Sequence, residues 1–264
     1  MIIDCHLHSR GTETAKEVIE GLDVRGVDRA VIFAPSGNRA GDKVREHTDF
    51  IVNLAAEADG RVIPFAWIDP SYEHAVEEVE RAVTEKGVKG VKIIPDRWHP
   101  WSEDCQRVYE KVQELGVPIL FHTGILWSWG DTSRFCRPCE FEIMMDYPKV
   151  RFAMAHIGWP WTDECLAVAG KIMYMRRGRK LEGPQAFVDL TPGTPPIYRE
   201  EAIRRALACV GEDLLLFGSD GGAVGSGNAV LERDKKLFDK MGLSPETQDK
   251  IFHKNTLVWL GEEE

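Results

Sequence analysis

Short apolar runs alternate with longer amphipathic segments along the chain. Eight of these runs are rich in β-branched residues and almost continuously apolar, as are parallel strands that are buried on both faces. The predicted strands span residues 1–8, 29–36, 61–70, 88–96, 117–124, 150–159, 186–193 and 214–222. Strands that alternate with helices pair in parallel through βαβ units, so the pattern predicts an α/β protein.

The segments between the strands have the periodicity and the end signals of helices. Residues 71–87 repeat apolar side chains at helical spacing. Residues 102–116 open on a serine, which is a common helix cap, and end on a glycine. Residues 243–261 open on Ser-Pro, which is typical of a helix start.

Eight strand–helix units within about 250 residues are typical of the (β/α)8 TIM barrel. We therefore expect this fold, with residues 1–264 as a single domain. The alternative is a doubly wound open sheet, which needs a Gly-x-Gly-x-x-Gly turn after its first strand. Residues 8–17 lack that turn, so the sequence favours the barrel.

The first predicted strand carries histidines at alternate positions. Asp4, His6 and His8 would share one face of the strand, because side chains alternate, and the apolar residues between them would share the other face. Taken alone, the motif is also compatible with two surface histidines on an edge strand.

Further strong metal-ligand side chains lie at the ends of other strands. His122 ends the fifth, His156 the sixth and Asp220 the eighth, and a closed barrel brings these ends together. The remaining histidines, in predicted helices or loops, are His47, His74, His99 and His253. Imidazole and carboxylate suit Zn²⁺ and, with less preference, Fe, Mn or Co. The sequence thus predicts a divalent metal site, and zinc is its expected occupant.

In combination these motifs resemble the amidohydrolase superfamily. The resemblance rests on Asp-x-His-x-His in strand one, the histidines after strands five and six, and Gly-Ser-Asp after strand eight. Residues 135–159 and the closing helix are similar to the amidohydrolase-2 type, described as predicted metal-dependent hydrolases of the TIM-barrel fold. That branch includes hydrolases and non-oxidative decarboxylases, so the resemblance implies a metal-dependent enzyme and leaves the substrate open.

The resemblance implies a role for each of these side chains. His6, His8, His122 and Asp220 would be the metal ligands, and Asp220 would also take a proton from the bound water. His156 would contact or polarise the substrate, or bind a second metal. A divalent cation lowers the pKa of bound water, to about 7 at zinc, and a nearby carboxylate completes a general base.

Lys92 lies in the middle of the fourth predicted strand, where a barrel offers little solvent. In some relatives a lysine of this strand is carboxylated and bridges two metals. The alternatives are an ion pair with Asp4 or Asp69, or a side chain that extends to the barrel mouth. A single metal is more usual in this branch, so a mononuclear site is the expectation.

Aromatic and cationic side chains cluster in the loops after strands four to six. The tryptophans are Trp98, Trp101, Trp127, Trp129, Trp159 and Trp161, and the arginines are Arg97, Arg134 and Arg137. The tryptophans could wall a substrate pocket, and the arginines could bind a substrate carboxylate. Packing between loops and solvated arginines are the alternatives.

Two further motifs carry weaker signals. Residues 218–228 are glycine-rich where barrels often bind phosphate, but flexibility around Asp220 is the preferred interpretation. Cys136 and Cys139 form a Cys-x-x-Cys motif without a second copy that could complete a zinc site. We expect two inert thiols, with a disulfide or a regulatory role as the alternative.

Composition limits the partners. A net charge of −10 argues against nucleic acid or an anionic membrane as the main partner, and we expect the basic stretch 171–180 to be solvated. The chain lacks a run of 18 apolar residues and a basic leader, and its six cysteines are too few for a disulfide scaffold. We expect a cytoplasmic protein with a small-molecule substrate. It could form a homo-oligomer, although the sequence does not indicate an interface.

The leading functional expectation is a hydrolase that uses metal-activated water on a small ester, lactone or amide-like substrate. The closest alternative is a lyase that decarboxylates an aromatic or unsaturated carboxylic acid with the same ligands. A third possibility is a non-catalytic metal-binding barrel, in which His156 and Asp220 could be replaced without loss of function.

Overall fold

The parallel strands predicted from the apolar runs form one sheet. The computed structural model describes residues 1–225 and 229–262, and within these ranges the sheet has nine strands. They are β1 (Ile3–His8), β2 (Arg29–Phe33), β3 (Val62–Trp67), β4 (Gly90–Ile93), β5 (Ile119–Phe121), β6 (Phe152–Met154), β7 (Ala186–Asp189), β8 (Leu215–Leu216) and β9 (Gly221–Gly222).

Neighbouring strands pair in chain order from β1 to β8, and β9 pairs with β1 on its other side. The two short strands β8 and β9 lie in the single predicted strand 214–222. Between them, the Cys5 amide donates to the Phe217 carbonyl at 2.9 Å, and the Asp220 amide donates to the His6 carbonyl at 3.0 Å. These bonds join the last strand to the first, so the sheet closes into the predicted barrel.

Helices follow most of the strands. They are α1 (Ala15–Arg25), α2 (Lys43–Ala56), α3 (Ala75–Thr84), α4 (Glu103–Leu115), α5 (Thr162–Gly178), α6 (Pro196–Val210), α7 (Ala229–Met241), α8 (Pro245–Asp249) and α9 (Asn255–Leu260), with a π-helical turn (Lys250–Lys254) joining α8 to α9. Within the described ranges, none of them combines the length and the apolar character needed to cross a membrane.

The connection from β5 to β6 departs from the regular pattern. Two 3-10 segments, Ser133–Cys136 and Pro138–Asp146, replace the α-helix expected there. Arg137 separates them with an extended backbone, at φ −67° and ψ 131°. A residue that precedes proline is disfavoured in the helical region, so Pro138 prevents one continuous helix.

Helix α1 has well-defined ends. The Thr14 hydroxyl accepts from the Glu17 amide at 3.3 Å, and the Glu17 carboxylate accepts from the Thr14 amide at 2.9 Å. This capping box satisfies donors that the first helical turn leaves without partners. At the other end Gly26 adopts φ 68°, which glycine tolerates best. The last helical residue, Arg25, is thereby directed at the β1–β9 edge of the barrel, where it donates to the Gly222 carbonyl at 2.7 Å.

The barrel interior is filled from its amino end by apolar side chains. The inner cluster includes Ile3, Cys5, Val31, Phe33, Phe65, Leu120, Phe187, Leu216 and Trp259. Trp259 of α9 is fully buried, and its ring lies 5.3 Å from that of Phe65. The apolar filling occupies the lower part of the barrel and leaves its carboxyl end to the polar side chains.

Strand β1 does not alternate as expected. Its register with β2 shifts between Asp4 and Leu7, which marks a β-bulge. Cys5 belongs to the inner cluster, whereas Leu7 packs outside with Val18 of α1. The expectation that Asp4 shares a face with both histidines is therefore wrong. The bulge reverses the alternation, so Asp4 lies outside the ring of strands while His6 and His8 point inward.

Candidate metal centre

Three ligand atoms converge at the carboxyl end of the barrel. The Nε2 atoms of His6 and His8 are 3.2 Å apart, and each lies 3.3 Å from Oδ1 of Asp220. Ligands placed tetrahedrally at about 2.0 Å from zinc are about 3.3 Å apart, so the three atoms match the face of such a tetrahedron. His8 and Asp220 have side-chain exposures of 29% and 32%, so the group lies at the barrel mouth and is accessible.

Asp189, at the end of β7, orients the His6 ring. Its Oδ2 lies 2.6 Å from Nδ1 of His6, and both side chains are buried. Burial lowers the pKa of His6 and raises the pKa of Asp189 to about 6. A neutral His6 that donates from Nδ1 keeps its Nε2 lone pair for a metal, which is the usual arrangement of a metal-binding histidine and its supporting carboxylate.

The sequence analysis did not identify Asp189. Asp189 is the last residue of β7, but it lies in the middle of the predicted strand 186–193, so the search of strand ends did not select it. A polar residue within an otherwise apolar predicted strand was the signal that could have identified it.

Asp189→Asn is expected to lower metal affinity about 10–100-fold, because an amide holds the His6 ring less firmly and can select the wrong tautomer. Isothermal titration with Zn²⁺ would measure the change. Asp163→Asn, which removes a carboxylate from an exposed ion pair with Arg205, is the control. An affinity for Asp189→Asn equal to that of this control would contradict the assigned role.

His122 and His156 form a second pair beside the three ligand atoms. Nδ1 of His122 lies 3.3 Å from Nε2 of His156, and Nε2 of His122 lies 3.2 Å from the Ile125 carbonyl. Thr191 Oγ1 lies 2.7 Å from Nδ1 of His156. One set of tautomers satisfies all three contacts: Thr191 donates to His156, His156 to His122, and His122 to the carbonyl. The structure thus places His122 next to His156 rather than in the group of three ligand atoms, and its role as a ligand stays a prediction.

His156 has an unusual backbone and a crowded ring. Its φ is 62°, in the left-handed region, and Thr194 Oγ1 donates to its carbonyl at 3.2 Å. Burial lowers the pKa of its imidazole to about 4, which keeps the ring neutral. A Cβ atom on Gly193 would lie 2.4 Å from Cγ of this ring, so only glycine leaves room for it.

Gly193→Ala is expected to displace the His156 ring, because the added methyl group cannot coexist with it. We expect activity to fall about 10²-fold, within the range for loss of an electrostatic catalytic group, while bound metal is retained. Elemental analysis and kinetics on the same sample would separate the two effects. Gly178→Ala, whose methyl group would meet nothing within 4 Å, is the control, and an active Gly193→Ala enzyme would refute the interpretation.

Lys92 is fully buried beside the ligand atoms. Its Nζ lies 3.4 Å from Nε2 of His6 and 4.7 Å from the centroid of the Phe33 ring. Burial lowers its pKa to about 8, against the attraction of Asp220 and Asp189. The anticipated ion-pair partners have contacts elsewhere: Asp69 with Arg97, and Asp4 with Ser219. Because Nζ approaches the lone pair that a metal would use, Lys92 and a metal compete for His6.

The tryptophans predicted to line a pocket have different surroundings. Trp98 is buried and donates to Asp69 at 3.2 Å, whereas Trp101 is exposed and stacks on His99 at 4.9 Å. Trp127 and Trp129 extend into solvent. Their role as pocket residues stays a prediction.

Trp159 stacks on Tyr198 at 6.4 Å. The two rings line a cavity of about 500 Å³ between the start of α5 and α6, together with Trp161. An aromatic residue that the sequence analysis did not single out contacts the ligand group itself: the ring of Trp67 lies 5.5 Å from that of His8. Trp67 ends β3. The sequence analysis considered metal-ligand side chains at strand ends and tryptophans in loops, so it missed a tryptophan at a strand end.

The predicted arginines all have partners. Arg97 is paired with Asp69 and Asp96, and Arg137 with Glu164. Arg134 is exposed; it lies over the Phe135 ring at 4.6 Å and 3.3 Å from Asp131. A substrate carboxylate would have to compete with these contacts.

The two cysteines of the Cys-x-x-Cys motif have separate surroundings. Cys136 is buried and its thiol donates to the Pro95 carbonyl at 2.9 Å, while Cys139 is exposed. Burial raises the pKa of Cys136 above its ordinary value, and burial with Glu164 nearby raises that of Cys139 to about 11. All six cysteines of the chain are free. Raised thiol pKa values accord with the predicted inertness.

Of the glycine-rich segment 218–228, residues 226–228 lie outside the described residues.

The fold and the site define the class: a TIM barrel with a candidate metal centre at the carboxyl ends of its strands. The family model for amidohydrolases matches residues 3–261, nearly the whole chain. The chain belongs to the amidohydrolase family, a family of enzymes, and the resemblance drawn from the sequence motifs is confirmed.

The sequence identity to an individual relative is low. The chain is 24% identical over 209 residues to 2-keto-4-carboxy-3-hexenedioate hydratase from Sphingobium sp., and the match spans 69% of this chain and 59% of the hydratase. The chain thus covers less than two thirds of that relative.

Solved structures share the fold at low identity. One is 5-carboxyvanillate decarboxylase from Novosphingobium aromaticivorans, complexed with manganese and 4-hydroxy-3-methoxy-5-nitrobenzoic acid: TM-score 0.68, 17% identity, 92% of this chain and 79% of that chain. Another, from Acinetobacter baumannii, is described as a probable 2-pyrone-4,6-dicarboxylic acid hydrolase with citric acid bound: TM-score 0.66, 15% identity, 98% of this chain and 99% of that chain.

Proposed function

We propose that the protein is a metal-dependent hydrolase that acts on a small ester, lactone or amide-like substrate. The observation that carries the proposal is the convergence of His6 Nε2, His8 Nε2 and Asp220 Oδ1 at separations of 3.2–3.3 Å. Three ligands and an accessible mouth are typical of catalytic rather than structural zinc sites. When bound, a divalent ion would acidify a water molecule and polarise a carbonyl group.

The protein's own side chains would each have a separate role. His6 and His8 would hold the ion, with His6 oriented by Asp189. Asp220 would bind through one carboxylate oxygen and accept a proton on the other, as a general base. His156 is neutral and accepts from Thr191 at Nδ1, so its single N–H is at Nε2. By releasing His122 Nδ1, this N–H would donate a hydrogen bond to the oxygen on which negative charge develops. His122 would join the ligand set only by giving up its contact with His156 or with the Ile125 carbonyl.

A second candidate is a decarboxylase of an aromatic or unsaturated carboxylic acid. It is favoured by the structural similarity to 5-carboxyvanillate decarboxylase, and it would use the same side chains. Lys92 beside the ligand atoms adds positive charge to the site, which suits an anionic substrate in either reaction.

We propose zinc as the metal, because two imidazoles and one carboxylate suit it well, with manganese as the main alternative. A cytoplasmic location is consistent with six free cysteines. A small molecule is the partner that we propose.

The test is to strip the protein with a chelator, reload it with Zn²⁺, Mn²⁺ or Co²⁺, and assay lactones, aryl esters and aromatic acids. Acid release would indicate hydrolysis, and CO₂ release would indicate decarboxylation. The metal content of wild type would show whether the protein binds one ion or two. If it binds two, loss of the second ion in Lys92→Ala would identify Lys92 as the bridging ligand. A protein that binds no metal under any loading condition would refute the proposal.

A further inference from the structure

Asp4 is a fully buried carboxylate that the proposed chemistry does not use. The bulge in β1 places it outside the ring of strands, where it lines a small cavity with Arg25 and Ser219, and with Leu231 of α7. A carboxylate in such a position requires hydrogen-bond partners. Its hydrogen-bond partners come from β1 and from the segment between β8 and β9, which are the two sides of the seam where the barrel closes.

Asp4 binds the residue that precedes Asp220. Ser219 donates to Oδ2 of Asp4 from its hydroxyl at 2.5 Å and to Oδ1 from its amide at 3.1 Å. The His6 amide donates to the same Oδ1 at 2.9 Å. One carboxylate therefore contacts the backbone of a proposed ligand, His6, and the neighbour of another, Asp220.

A second anchor holds the other side of Asp220. Arg25, buried at the end of α1, donates from Nη2 to the Gly222 carbonyl at 2.7 Å. The Asp220 amide itself donates to the His6 carbonyl at 3.0 Å. Residues 219 and 222 are thus attached to two side chains outside the barrel, and residue 220 is attached to β1.

Asp220 needs such support because its backbone is in the left-handed region, at φ 53°. An L-residue keeps this conformation when its surroundings determine it. If residues 219 and 222 were free to relax, Asp220 could return to an ordinary conformation, and its carboxylate would leave the two imidazoles.

We propose that Asp4 and Arg25 are positioning residues that hold Asp220 in its metal-binding conformation from outside the barrel. The proposal rests on the proposed function, since it assigns Asp220 as a ligand. Asp4 acts through Ser219, and Arg25 acts through Gly222. Neither side chain touches the metal or the substrate.

The experiment compares wild type with Asp4→Asn, Ser219→Ala and Arg25→Met. Asp4→Asn keeps the side-chain shape but replaces one acceptor oxygen by a donor. Ser219→Ala removes only one hydroxyl, and so it serves if Asp4→Asn fails to fold. Asp28→Asn is the matched control, because Asp28 also accepts from a backbone amide, that of Ile2 at 2.7 Å, but this residue directly precedes β1 at the amino end of the barrel.

The first readout does not need a metal. Crystal structures of the metal-free proteins would give the distance from Asp220 Oδ1 to His8 Nε2, which is 3.3 Å when Asp220 is held in place. We expect this distance to lengthen beyond hydrogen-bonding range in the three seam variants, Asp4→Asn, Ser219→Ala and Arg25→Met, and to stay unchanged in Asp28→Asn. An unchanged distance in both Asp4→Asn and Ser219→Ala would overturn the role of Asp4, and an unchanged distance in Arg25→Met would overturn the role of Arg25.

The second readout is Co²⁺ binding, which calorimetry and the visible absorption spectrum of the bound ion would measure. We expect a 10–100-fold loss of affinity in the seam variants, with a spectrum altered by the loss of a carboxylate ligand, and wild-type behaviour in Asp28→Asn. Wild-type affinity and spectrum in the seam variants would also overturn the proposal. If wild type itself bound no Co²⁺, the proposed function would fail, while the crystallographic distances would still decide whether Asp4 positions Asp220.

Discussion

Asp220→Asn is expected to lose both the metal and the activity. The carboxylate supplies one of three converging ligand atoms, and an amide oxygen is a much weaker ligand for a divalent ion than a carboxylate. The same carboxylate is the proposed general base, and loss of such a base costs about 10²–10⁴-fold in rate. We therefore expect kcat to fall by at least that factor even at saturating metal.

Elemental analysis after dialysis, followed by kinetics at increasing Zn²⁺, would measure the two losses separately. Asp213→Asn is the control, because Asp213 is 73% exposed and forms a surface ion pair with Lys250. If Asp220→Asn retained a full complement of metal and wild-type kcat, both assigned roles of Asp220 would be wrong.

Asp234→Asn is expected to destabilise the protein by about 3–5 kcal/mol, the usual cost of leaving one partner of a buried ion pair alone. Asp234 of α7 and Arg199 of α6 are both buried and form a bidentate pair, with distances of 3.0 and 2.5 Å. Arg199 has no other carboxylate partner among the ion pairs of the described residues. Its guanidinium would remain desolvated without a counter-charge.

Urea denaturation would measure the free energy of unfolding. A double variant, Arg199→Met with Asp234→Leu, is expected to recover part of the lost stability, because it removes the buried charge of Arg199. Arg233, which also donates to Asp234 Oδ1 at 3.1 Å, is partly exposed and retains contact with solvent. Glu20→Gln, which breaks an exposed pair with Lys16, should change stability by less than about 1 kcal/mol. An Asp234→Asn protein as stable as this control would show that the buried pair contributes little.

Much of the architecture follows from local patterns in the sequence. Eight apolar runs separated by amphipathic segments predict parallel strands that are covered on both faces. The count of eight and the lack of a Gly-x-Gly-x-x-Gly turn after the first strand favour the barrel over an open doubly wound sheet. The convergence of His6, His8 and Asp220 follows from the same logic, since barrel closure brings strand ends together. Pro138 accounts for the irregular connection between β5 and β6, where two 3-10 segments replace the expected α-helix.

Side-chain contacts between strands that are distant in the chain could not be predicted from these local sequence patterns. Asp189 and His6 are 183 positions apart in the chain, and only the three-dimensional arrangement of β7 and β1 shows that their side chains meet. The pairing of His122 with His156 likewise depends on ring orientations, which the order of residues along a strand does not determine.

The position of Asp4 shows most clearly which features the sequence determines and which depend on the tertiary structure. By sequence alone, period-two alternation determined that two histidines of the first strand share a face, but it also assigned Asp4 to that face. The bulge that removes it depends on how β1 pairs with β2 and with the last strand, and such pairing involves residues far away in the chain. Alternation is a local property of an extended backbone, so the sequence determines it. Register is a property of the closed sheet, so only the tertiary structure decided that Asp4 lies outside the barrel, against Ser219.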